Sequence, residues 1–154
     1  LREVIAAANL LEEDWNVAAD VWSVTSFNEL RRNGIDIERW NMLHPLEEPK
    51  KAYVAEQLEE YKGPAVAATD YMRSFPEQIR PFLGNRNFLT LGTDGFGRSD
   101  LRSQLRKHFE VNRYYIVVAA LKSLADLDEI HSKTVAQAIK TYKIDSEKPN
   151  PLVI

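Results

Sequence analysis

Asp70 and Asp94 are the carboxylates best placed for chemistry, because each lies just past a short apolar run of the kind that forms a buried strand. Thr69 and Thr93 stand directly before them, and a third apolar run ends at Thr25-Ser26. In an open parallel sheet the carboxyl ends of the strands lie along one edge, where ligands and partners approach. Ser, Thr and Asp are also what a helix start requires, so plain capping competes with that reading. The Thr93-Asp94 junction is the richest. In Leu91-Gly-Thr-Asp-Gly-Phe-Gly-Arg-Ser-Asp100, three glycines permit turns that other residues resist. Ser99 or Asp100 is then placed to cap the next helix. Open amides at a positive helix end suit an anion, which makes Thr93, Asp94, Gly95, Phe96, Gly97 and Arg98 candidate sheet-edge or interface residues beside Thr69 and Asp70. The glycine order is neither GxGxxG nor GxxxxGK[ST], so a purely structural turn is the plainer alternative.

No other residues complete a reactive set. His44, His108 and His131 share no metal-ligand spacing, and there is no cysteine to serve as nucleophile or zinc ligand. Surface or capping roles are expected for all three, with protonated His108 opposing the dipole at its helix end. No serine sits in a G-x-S-x-G elbow. Glu12-Glu13 and Glu47-Glu48 read as solvated charge. Trp15, Trp22, Trp40, Phe75, Phe82 and Phe96 read as core and interface packing.

The elements that must position the edge alternate in type. Val4, Ala8 and Leu11 mark a helix over about 2–13, and Val17–Val24 reads as a strand covered on both faces. Ser26 and Glu29 have capping-box spacing, opening a helix that Gly34 should stop, with a second short helix over about 36–42. A helix over Lys51–Tyr61 leads to Gly63-Pro64 and the strand Ala65–Ala68. Thr69-Asp70 should open a helix to about Arg80 with Pro76 in its first turns, and Asn87–Leu91 is the third strand. Helices over Asp100–Phe109, Arg113–Ala125 and Lys133–Tyr142 complete a domain over 1–148, and a tail over 149–154 should lie along the surface with little to hold it. Alternating strands and helices imply an α/β fold of three layers, α/β/α, with a mainly parallel sheet.

At 154 residues the chain is long enough for one domain with a real core. A net charge of -3 with no basic block argues against nucleic acid or an anionic membrane as main partner. The absence of cysteine is compatible with the reducing cytoplasm, the expected location. Opening on Leu1-Arg-Glu-Val, in amphipathic helix and without an initiator Met, reads as a piece of a longer polypeptide.

Several blocks taken together carry a family resemblance. Asp20-Val-Trp-Ser-Val-Thr-Ser-Phe-Asn-Glu-Leu30, Glu38-Arg-Trp-Asn-Met-Leu-His-Pro45, Ala65-Val-Ala-Ala-Thr-Asp-Tyr-Met72, Leu91–Asp100 and His108-Phe-Glu-Val111 resemble the C-terminal region of the homodimeric, bacterial-type pyruvate dehydrogenase, the decarboxylating first component of its complex. The resemblance runs the length of the chain. It implies a transketolase C-terminal-domain-like fold with upstream strands lying outside this sequence, one of them between the counterparts of Val17–Val24 and Ala65–Ala68. Ala65–Ala68 should then pair with Asn87–Leu91. It also implies a parent enzyme that uses thiamine diphosphate and magnesium, forms a homodimer, and works with lipoyl acyltransferase and dihydrolipoyl dehydrogenase components. No catalytic, cofactor or metal residue transfers onto this stretch, where the domain would support dimer and active-site assembly. An anion- or partner-binding regulatory module built on Gly92–Gly97 is the alternative.

Overall fold

The computed structural model describes residues 1–154. In chain order it contains α1 (Arg2–Trp15), α2 (Phe27–Leu43), α3 (Tyr53–Gln57), β1 (Ala65–Ala68), α4 (Ser74–Glu77), a 3₁₀ turn at Arg80–Leu83, β2 (Phe88–Leu91), α5 (Arg102–His108), α6 (Arg113–Ala125) and α7 (Ser132–Thr141). The strands β1 and β2 pair in parallel, with Ala65 opposite Phe88 and Ala68 opposite Leu91, the pairing expected. Successive side chains of a strand point to opposite faces. Ala68 and Leu91 accordingly join a core made by α1, α6 and α7, around Ala7, Leu11, Val117, Leu121 and Ala138. Ala65, Ala67 and Phe88 join a second core around Ala52, Val54, Ile79 and Phe82, with Phe27 and Leu30 of α2. Helices therefore cover both faces of a small parallel sheet, which is the α/β/α layering. No helix is long and apolar enough to cross a membrane.

Two polar devices close the layers. Trp15 donates to the Tyr142 hydroxyl at 2.7 Å, and that hydroxyl donates to Asp14 at 2.8 Å, tying the end of α1 to the end of α7. Burial, with Asp14 alongside, pushes the Tyr142 phenol up to about 12. On the other side, Arg80 donates to the Phe88 carbonyl at 2.7 Å and pairs with Glu77, so the outer edge of β2 is covered by a cation. A charged cover of this kind discourages further strand pairing there.

Several elements differ from the sequence expectation. Val17–Val24 forms no strand, and Val21, Trp22 and Val24 are exposed. An apolar run becomes a strand only where a neighbouring backbone supplies hydrogen bonds, and β1 pairs with β2 alone. Trp22 instead meets Tyr61 edge-to-face at 5.3 Å. Gly34 does not stop a helix: α2 runs through it, absorbing the second stretch over 36–42. Gly34 is buried, and the Phe82 ring fills the space that a Cβ would need. The helix start is as read, since Ser26 accepts from the Glu29 amide at 3.2 Å, although the Glu29 side chain turns outward to Arg32.

The helix expected over Lys51–Tyr61 shrinks to the five residues of α3, followed by turns. The helix expected from Asp70 to Arg80 shrinks to α4 plus the 3₁₀ turn, because the residues after Thr69 are engaged with β2's continuation. Pro76 does lie in the first turn of α4, fully buried. The C-terminal tail is held rather than loose. Pro151 is buried, and Lys148 donates to the His108 carbonyl at 2.6 Å and to Glu110 at 2.9 Å.

Candidate functional site

The carboxyl ends of β1 and β2 lie side by side, and the residues past them are laced together. The Thr69 amide donates to the Leu91 carbonyl at 3.0 Å, and the Thr93 amide to the Tyr71 carbonyl at 2.9 Å. Thr69 accepts from the Tyr71 amide at 3.1 Å, and the Thr93 hydroxyl donates to the Asp70 carbonyl at 3.2 Å. Asp94 accepts from the Arg73 amide at 3.2 Å and pairs with the Arg73 guanidinium at 3.2 Å. Gly92 is required here: a Cβ would approach the Tyr71 carbonyl to 2.6 Å. The structure thus brings together Thr69, Asp70, Thr93 and Asp94, and engages the side chains of Thr69, Thr93 and Asp94 within the edge itself.

Asp70 belongs to a second set that local sequence does not announce. Arg106 of α5 reaches Asp70 at 3.3 Å and Glu3 of α1 at 3.4 Å. Arg113, at the start of α6, holds Glu3 by its amide at 3.0 Å and by two guanidinium nitrogens at 3.1 Å. The Arg113 hydrogen bonds hold the Glu3 carboxyl below the usual carboxylate range against the opposing effect of its burial, with Arg106 helping. A carboxylate saturated in this way is a poor base, because its lone pairs are occupied and its proton affinity is lowered. The cluster joins α1, α5, α6 and the sheet edge. Glu3 and Arg113 lie 110 positions apart, so no spacing rule could have found the pair.

The remaining predicted residues separate from this edge. Gly95 takes φ +108°, and the Pro151 carbonyl of the tail occupies the space beside its Cα. Phe96 is 75% exposed, and Gly97 and Arg98 are also exposed. Neither Ser99 nor Asp100 caps α5; Leu101 holds that position without a side-chain bond, and Asp100 accepts from the adjacent Leu101 amide at 2.6 Å. Two of the three glycines are thus explained by backbone contacts or positive φ, which favours the structural reading of the turn.

Beside the turn is a cleft of about 280 Å³ lined by Arg98, Ser99, Asp100, Gln104, Leu105 and His108. The buried Nε2 of His108 has no hydrogen-bond partner. Burial, then the nearby Arg98 and Lys148 charges, pull the His108 pKa down. His108 therefore favours the neutral form, contrary to the dipole-opposing cation expected at this helix end. His131 does cap, accepting from the Lys133 amide at 3.1 Å at the start of α7. His44 stacks on Trp40 at 4.3 Å. The three histidines do not converge.

The molecule is a layered α/β domain with a laced parallel edge. The chain belongs to the family of the transketolase-like C-terminal domain, which matches residues 1–112. Across 99% of its length it is 55% identical to the pyruvate dehydrogenase E1 component of Cupriavidus necator and 56% identical to that of Pseudomonas aeruginosa. It is 54% identical, over 98% of its length, to the pyruvate dehydrogenase E1 component of Escherichia coli. The chain spans only 17% of the length of each of these relatives.

Proposed function

We propose that this domain serves a thiamine-diphosphate- and magnesium-dependent pyruvate dehydrogenase, which decarboxylates pyruvate and passes the acetyl group to lipoyl groups of a second component. The observation that carries the reading is the 55% identity along nearly the whole chain to a protein named for that activity. The domain's part is support: it helps assemble the dimer and the active site and supplies no reacting group. Thr69, Asp70, Thr93, Asp94, Gly95, Phe96, Gly97 and Arg98 then act as edge and interface residues. The working partners are a second copy of the enzyme, a lipoyl acyltransferase and a dihydrolipoyl dehydrogenase, in the cytoplasm.

The carboxylates and histidines present do not group into a metal site. Glu3 is saturated by arginines, and Asp94 is committed to Arg73.

The test is a transplant. A Cupriavidus necator pyruvate dehydrogenase E1 component carrying these 154 residues in place of its own matching segment should retain pyruvate decarboxylation within about tenfold. The same protein with the segment deleted should lose it. Turnover by the 154 residues alone, with thiamine diphosphate and Mg²⁺ added, would refute the supporting role.

A further inference from the structure

The tail and the glycine turn are seated against each other by backbone. Pro151 is buried, and its carbonyl fills the space that a side chain at Gly95 would need, with the Leu152 Cα beside it. Gly95 holds φ +108°, so this close approach is open to glycine alone. The tail keeps its own shape through short bonds. The Glu147 amide donates to Asp145 at 3.0 Å, and the Leu152 amide donates to the Asn150 side chain at 2.9 Å. Its second anchor is Lys148, which donates to the His108 carbonyl at 2.6 Å and to Glu110 at 2.9 Å.

His108 is where tail and turn meet. Its carbonyl holds Lys148, and its ring lines the cleft shared with Arg98 and Asp100 of the turn. The ring lies edge-on to Phe109 at 4.8 Å, with Nε2 buried and unpartnered. The charged groups around it are Arg98 and Asp100 from the turn, Glu110 past the end of α5, and Lys148 from the tail. Tyr115 of α6 stands behind Lys148, its ring centroid 5.9 Å from the ammonium. Glu110 favours a protonated ring, but it already pairs with Lys148, and Asp100 accepts from the Leu101 amide. Burial and the Arg98 and Lys148 charges prevail, which keeps the ring neutral near pH 7.

We propose that these contacts form a pH-operated latch, in which a proton on His108 releases the tail from the Gly95 turn and loosens the sheet's carboxyl edge. A charged ring sets a third cation beside Arg98 and Lys148, and its Nε2–H meets no acceptor. Relief comes from moving the turn or the tail. Both yield before the α1–α6–α7 core, because the tail seals in Pro151 alone, whereas that core seals in Ala7, Leu11, Val117, Leu121 and Ala138. The opening is therefore local. Thr93 and Asp94 directly precede Gly95, so their bonds to Asp70 and Arg73 lose the brace behind them. Histidine suits such a device because its charge changes close to neutral pH. The latch stands apart from the supporting role, since it concerns how the fold answers acid.

Amide exchange tests the latch in the full-length Cupriavidus necator enzyme carrying these 154 residues, read as protection factors at pH 7.5 and 5.5. Protection over 93–97 and 148–153 should fall at least about fivefold at the lower pH, while residues 116–121 of α6 keep theirs. His108→Gln, which cannot take the proton, should hold both segments closed at both pH values. His108→Lys, with a lasting charge, and Lys148→Met, without the anchor, should leave them open already at pH 7.5. Protection of α6 shows whether each variant has folded; if His108→Gln has not, the other two decide. The readout needs no turnover, so an inactive transplant would count against the supporting role and leave the latch to be judged by exchange. An equal fall in His108→Gln, a fall shared by 116–121, closed segments in Lys148→Met, or no fall in the unsubstituted domain would overturn it.

Discussion

On the α1–α6–α7 side of the sheet, Val117 and Leu121 have no exposed surface at all, whereas Phe96 and Leu101 beyond the carboxyl edge stand in solvent. The first region is ordered by side chains packed across long sequence distances. The second is ordered by backbone: a glycine at positive φ lies against the tail's Pro151 carbonyl, and Asp100 bonds its own neighbour. Between them lies the Glu3 cluster, which borrows from both, since its anchor is a side chain but two of the elements it joins are loop-bounded helix ends. Apolar packing tolerates no loss of volume, while a surface turn tolerates most changes that leave its backbone angles possible. Graded substitutions along this line measure the difference.

The largest effect is expected at Leu121→Ala, which removes a fully buried side chain from the centre of the first core and should cost about 3 kcal/mol in denaturant unfolding. An unchanged midpoint would mean that the α6 layer can collapse around the void. Glu3→Gln should cost about 2 kcal/mol, because it leaves the Arg113 and Arg106 guanidiniums facing a neutral amide. The wild-type contribution of Glu3 is fully present above its ordinary value of 4.5 and is lost as pH falls through the lowered folded value. The stability difference between wild type and Glu3→Gln should therefore shrink on acidification.

Gly95→Ala should cost about 1 kcal/mol or somewhat more, since alanine resists the left-handed region and its methyl would meet the Pro151 carbonyl. Amide exchange in residues 148–153 should rise with it, and exchange confined to 93–97 would show that the tail does not depend on the turn. The smallest effect is the His108 titration. Because its folded pKa lies below the ordinary 6.5, its neutral form stabilises the fold above that pH. Stability should begin to fall as pH drops below about 6.5 and level off beneath the folded value. A His108→Gln variant should lose that step, which a two-point melting comparison at pH 7.5 and 5.5 would resolve.

The parts of the fold legible in the sequence are those whose signals are local. Ser26 announced the start of α2, Val117 and Leu121 announced the buried stripe of α6, and the two apolar tetrads became β1 and β2 in the expected pairing. Val17–Val24 shows where pattern fails, because its residues suit a strand but no neighbouring backbone pairs with it. Gly34 shows the converse. The usual helix stop continues as helix because the Phe82 ring, 48 positions away, takes the place of a side chain. At the candidate edge, Thr69, Asp70, Thr93 and Asp94 were found from their places after strands. Arg73 and Arg106, which pair with Asp94 and Asp70, carried no signal, and neither did Glu3 and Arg113, which join the cluster through Arg106.

The sequence by itself determined β1 and β2 with their one parallel pairing and, through blocks shared with a family, the family to which the domain belongs. Only the tertiary structure decided that Glu3 sits under two arginines, that the tail braces Gly95, and that Leu121 is sealed in. Helix and strand preferences act over a few neighbouring residues, whereas burial and charge pairing depend on which distant surfaces the folded chain brings together.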